Sequence, residues 1–111
     1  MPKVIRAYTG SSFVNREVIS RLPTSISIRF SPAFNENGDL IIAISSPKYS
    51  GIVSEARTKK EAYENVHDAI LTYFDVPRAC AKAIKFEVVE MKRDSPTTLL
   101  QRFAIKQLTH A

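Results

Sequence analysis

From Ile26 onward the apolar positions alternate. Ile26, Ile28 and Phe30 fall on one side, Ser27 and Arg29 on the other, the period of a half-buried strand. Asn35-Glu36-Asn37-Gly38-Asp39 then supplies residues that tolerate the positive φ of a tight turn. Residues 40–46 form a second, mostly apolar strand. Pro47-Lys48-Tyr49-Ser50-Gly51 is another turn, and residues 51–55 make a short third strand. The spacing predicts an antiparallel meander. At Thr58 the period changes to that of a helix. Thr58-Lys59-Lys60-Glu61 fits a capping box, and Ala62, Val66, Ala69, Ile70, Tyr73 and Phe74 make one apolar stripe over about four turns. Pro77 closes this helix, because it pushes Val76 out of helical geometry. Residues 84–91 read as a strand, with Ile84, Phe86 and Val88 on one side and Lys85, Glu87 and Val89 on the other.

The ends are read the same way. Residues 3–8 suit a short strand and 13–22 a short helix, ended by Pro23-Thr24-Ser25. After the turn Asp94-Ser95-Pro96, the segment 95–111 is expected to be helical. Its apolar residues Leu99, Leu100, Phe103, Ile105 and Leu108 lie over 97–108, and Ser95-Pro96 suits an N-cap followed by proline at the first helical position. The expected fold is α+β, with a β-β-β-α-β core over about 26–91. A three-stranded antiparallel meander is joined by a fourth strand, one main helix lies on the sheet, and short helices stand at the termini. Ile41, Ile42 and Ile44 point to both faces of the second strand. The second face is therefore expected to be covered by a terminal helix or by another copy of the chain.

Length and composition narrow the class. The chain has 111 residues, 44% hydrophobic and 24% charged, as expected for one globular domain spanning 1–111. No apolar run approaches the roughly 20 residues of a membrane helix, and the N-terminus lacks the apolar core of a signal peptide. A cytoplasmic location and no membrane partner are expected. Cys80 is the sole cysteine, which excludes an intrachain disulfide and a cysteine-based metal cage. The net charge of +5 is unevenly spread. Residues 1–31 carry net +4, residues 32–81 net −2 and residues 82–111 net +3. Basic ends permit contact with phosphates.

Candidate chemistry is sparse. His67 stands on the helix near Glu64 and Asp68, without a Ser or Cys nucleophile nearby in sequence, and reads as a helix-flank residue. Two histidines and one cysteine give no basis for a zinc site. Carboxylates do not converge as a two-metal nuclease requires, so neither catalysis nor a cofactor is expected. Cys80 sits in Arg78-Ala79-Cys80-Ala81 and reads as a small packed residue. The basic candidates are Lys92 and Arg93 before the last segment, and Arg102 and Lys106 four apart within it. Lys3, Arg6, Arg16 and Arg21, with Tyr8 and Phe13 among them, mark the N-terminal part.

Gly51, Ser54, Glu55, Thr58, Glu61, Ala62, Asn65, Ala69, Ile70 and Tyr73 follow a pattern. It is Gly, a short strand ending Ser-Glu, then Thr-x-x-Glu-Ala-x-x-Asn and a small-apolar pair ahead of an aromatic. With the acidic, Gly-containing turn at 35–39, the stretch over about 26–90 resembles the HicB antitoxin family. The resemblance implies a degenerate ribonuclease-H-like fold without catalysis. It also implies a partner, a small basic RNA-cleaving toxin of the HicA type, whose active site the antitoxin occludes. Many members of the family add a DNA-binding segment, but the 20 residues after position 91 have room for one helix only. Three readings follow. In the first, an antitoxin-like protein binds its toxin through Glu64 and Asp68, on the polar side of the helix. In the second, a DNA- or RNA-binding protein uses Lys92, Arg93, Arg102 and Lys106. In the third, the chain is a structural subunit. A homo-oligomer is expected in each.

Overall fold

The computed structural model describes residues 20–107. Among these residues, five strands form one antiparallel sheet: β1 (Ser25–Phe34), β2 (Leu40–Ser45), β3 (Val53–Ala56), β4 (Ile84–Arg93) and β5 (Leu99–Gln107). Their order across the sheet is β3-β2-β1-β5-β4. Helix α1 (Lys59–Tyr73) crosses one face, and a 3-10 helix (Arg78–Ala83) leads from it into β4. The fold is α+β with one main helix. The meander, the helix and the fourth strand follow one another as the hydrophobic pattern predicts. The segments expected over 3–8 and 13–22 lie, except for Ser20–Leu22, outside the described residues.

Local chemistry sets each connection. In the β1–β2 turn, the Asn35 side-chain oxygen accepts from the amides of Asn37 and Asp39, both at 2.9 Å, and Gly38 takes φ +83°. At the start of α1, Thr58 Oγ1 accepts from the Glu61 amide at 3.1 Å. Glu61 reaches back to the amide of Arg57 at 2.7 Å, one residue before the usual capping-box partner. At its end, Asp75 adopts φ +56° and the Val76 amide donates to the Leu71 carbonyl at 2.8 Å. These features make a Schellman-type stop, with aspartate where glycine is favoured and Pro77 just beyond.

The C-terminal segment corrects the expectation of a helix over 95–111: residues 99–107 are β5. Leu99, Gln101, Phe103 and Ile105 also repeat every second residue. Leu100 and Ala104, on the alternate positions, hide that period. Ser95 and Pro96 form a tight turn instead of a helix start. The Thr98 amide donates to the Ser95 carbonyl at 3.3 Å, with Pro96 at the second turn position that its fixed φ suits. Pairing decides the outcome, because β5 bonds to β1 on one side and to β4 on the other.

Directly opposed residues of an antiparallel pair share a face. One face of the sheet carries Ile26, Ile28, Ile44 and Phe103, which pack with Ile52, Ala56 and the helix residues Ala62, Val66 and Ile70 in the main core. A second cluster, Val76, Cys80 and Ile84, lies under the 3-10 helix. Gln101 is buried within the first core, and its side-chain oxygen accepts from the Tyr63 hydroxyl at 3.0 Å. The other face carries Ser25, Ser27 and Arg29 of β1, Leu100, Arg102 and Lys106 of β5, and Lys85, Glu87, Glu90 and Lys92 of β4. A β-bulge between Val88 and Glu90 moves Glu90 onto this face, against the simple alternation expected for β4. No second layer of described residues covers it.

Candidate functional site

The positions that carry the HicB resemblance converge on one unit, β3 with α1, and most have a structural task there. Thr58 and Glu61 cap the helix. Ala62 and Ile70 are core residues. Asn65 Nδ2 donates to the Glu55 carbonyl at 2.8 Å, which ties the helix to the sheet edge. Gly51 lies against the Tyr73 ring, where an added Cβ would stand 2.6 Å from a ring carbon. The motif is thus a recipe for seating this helix beside this strand, and it leaves the outer side of the helix for other work.

On that outer side the structure places Glu64 and Asp68 one turn apart and exposed. They lie in line with Glu61, opposite the buried Ala62, Val66 and Ile70. No described cation stands within ion-pair distance of Glu64 or Asp68. Asp68 also lines a groove of about 280 Å³ between α1 and β3, with Ser54, Ala69 and Thr72.

The four basic candidates sit differently. Arg102 and Lys106 share the uncovered sheet face because residues two or four apart in a strand do so. Arg102 Nε bonds Glu90 Oε1 at 3.1 Å. Lys106 Nζ bonds Glu87 Oε1 at 2.9 Å, and Lys85 stands 3.7 Å from the same carboxylate. Arg29 Nε bonds Asp94 Oδ2 at 3.2 Å. The hydrogen bond from Lys106, with the charges of Lys106 and Lys85, holds the Glu87 carboxyl below its ordinary value. Arg93 belongs to the helix side, opposite Leu99, and folds back to donate to the Pro96 carbonyl at 3.0 Å. Lys92 is on the uncovered face, opposite Leu100. The structure therefore gathers three of the four basic residues on one face and neutralises two of them. Arg29 and the carboxylates of this lattice escaped sequence reasoning, since the register that pairs them is not local.

His67 is half-buried and stacks on Phe86, ring centroids 4.4 Å apart at 21°. Burial lowers its pKa, so it is a neutral packing residue between α1 and β4. Cys80 is buried, and desolvation pushes its thiol up, away from the reactive thiolate. Among the described residues, no three His, Cys, Asp or Glu side chains come together as a metal site. No described helix is long and apolar enough to cross a membrane. Comparison of the chain with family models, curated proteins and solved structures finds no match.

Proposed function

We propose that this protein is a non-catalytic, HicB-like antitoxin that binds a small basic ribonuclease toxin and covers its active site. The observation that carries this reading is the pair Glu64 and Asp68, exposed on the outer line of α1 with no counter-ion among the described residues. Carboxylates in that state lose little on meeting a partner's lysines or arginines, and they steer its approach. Arg29, Lys85, Arg102 and Lys106 of the sheet face must first give up Glu87, Glu90 and Asp94 before they meet a phosphate. The contrast favours a basic protein over a nucleic acid as partner.

The test is recovery of the tagged, full-length protein from its native lysate, with and without nuclease, and identification of what stays bound. A small basic ribonuclease that survives nuclease treatment is the expected result. Nucleic acid as the sole companion, lost on digestion, overturns it.

A further inference from the structure

The sheet has two edges, and they are guarded unequally. β4 exposes Lys85, Glu90, Lys92 and Arg93 and contains the bulge, devices that discourage another strand from adding. β3 has neither a bulge nor a charge beyond Glu55. Its backbone also has a definite polarity. The Ser46 amide donates to the Ile52 carbonyl at 3.2 Å, and the same register sets Ser54 opposite Ile44 and Ala56 opposite Ile42. In an antiparallel ladder the N–H and C=O of one residue point the same way, and successive residues alternate. Residues 52, 54 and 56 therefore bond inward to β2, and Val53 and Glu55 point outward. The Glu55 carbonyl is taken by Asn65. Among the described residues, none takes the N–H and C=O of Val53 or the N–H of Glu55, which point out from the rim.

Beside this rim runs the groove lined by Ser54, Asp68, Ala69 and Thr72. Ser54 is on the helix side of the sheet, whereas Val53 and Glu55 lie on the other face, opposite Ser45 and Ala43. Val53 is 68% exposed. The geometry points to β3 as the docking edge for an extended basic segment of the partner protein, which adds as a sixth strand. This inference rests on the proposed reading of α1. Side chains of an added strand alternate between faces, so the edge specifies a pattern. The residue opposite Ser54 enters the groove and meets Asp68, and a lysine or arginine fits there. Its two neighbours lie on the other face of the sheet, and an apolar side chain fits beside the exposed Val53. Main-chain bonds supply affinity and the alternate side chains supply selectivity.

Hydrogen exchange on the isotope-labelled full chain tests this directly. The probes are a ten-residue peptide alternating valine and lysine, the same peptide with glutamate for lysine, and the small basic ribonuclease recovered from lysate. The valine–lysine peptide and the ribonuclease are expected to slow exchange of the Val53 and Glu55 amides at least about tenfold, and the glutamate peptide to leave it unchanged. Val53→Pro removes an outward N–H that the sheet does not use, a position where an edge strand tolerates proline. It is expected to weaken the valine–lysine peptide about tenfold. Binding that depends on Glu64 and Asp68 but leaves both amides unprotected overturns the edge and spares the acidic face. Protection by the peptide with no ribonuclease bound keeps the edge and overturns the toxin reading. No protection by either probe overturns the edge outright.

Discussion

The outer face of α1 and the uncovered face of the sheet are both polar and exposed, yet their charges are organised in opposite ways. On the sheet, Arg29, Arg102, Lys106 and Lys85 each find a carboxylate on the same face, and the bulge in β4 brings Glu90 into reach of Arg102. On the helix, Glu64 and Asp68 stand on one line with no described cation beside them. The excess of basic residues in the sequence therefore says little about the surface a partner meets. A charge already paired at home contributes little to recognition, whereas an unpaired one contributes in full. The net charge of +5 and an acidic line on the outer side of α1 are compatible because the ion pairs of the sheet are local.

The largest expected effect falls on the helix. Replacing both Glu64 and Asp68 by Lys is expected to weaken the proposed complex with a basic ribonuclease by about ten- to a hundredfold, with the fold intact. Titration calorimetry at low and high salt checks this, and affinity that ignores the double charge reversal breaks the comparison. Asp75 lies beyond the end of α1 and sharpens the boundary of the face. Asp75→Gly relieves a left-handed residue and is expected to raise stability by about 1 kcal/mol without changing affinity. A thermal melt paired with the same titration separates the two. On the sheet, Arg102→Glu breaks one exposed ion pair and leaves Glu90 facing a like charge. The expected cost is below about 1 kcal/mol, with ribonuclease binding untouched. A tight, salt-dependent RNA complex lost in this variant would instead make the sheet the working surface.

The smallest effects are those of pH. Because the pKa of Glu87 is lowered in the folded chain, its contribution is present above the ordinary glutamate value and is lost as the pH falls through the lowered one. His67 is also lowered, by burial. Its unfolded form takes up the proton first, so stability declines as the pH falls through the ordinary histidine range. His67→Phe should flatten the stability curve between about pH 5 and 7. Lys106→Gln should leave that window unchanged and reduce the loss seen at lower pH. Chemical denaturation across pH distinguishes the two variants.

Where the hydrophobic pattern had a single consistent reading, the elements formed as expected. β2 and α1 lie within a residue or two of their expected ends, since the turn at Asn35 and the cap at Thr58 act through groups only two to four residues apart. The C-terminal segment, expected as a helix, is a strand, and its pattern is ambiguous. Leu99, Leu100 and Phe103 suit a helix, and Leu99, Gln101, Phe103 and Ile105 suit a strand. The site divides along the same line. Glu64 and Asp68 were legible as a pair because helical spacing is local. The partners of Arg102 and Lys106 were not, since each carboxylate lies on another strand, 12 and 19 residues away. The outward backbone of Val53 was hidden too, for it depends on which residues of β3 bond to β2.

By itself the sequence determined the meander, the capped amphipathic helix, the fourth strand and the acidic line on the helix surface. Each follows from interactions within one turn, one strand period or one hairpin. Tertiary structure alone decided that residues 99–107 become a strand between β1 and β4, that a bulge turns Glu90 toward Arg102, and that β3 is an edge among the described strands. Those outcomes depend on hydrogen bonds between segments distant in the chain. The register of such bonds is set by how the whole sheet closes over its core, not by any one segment's pattern.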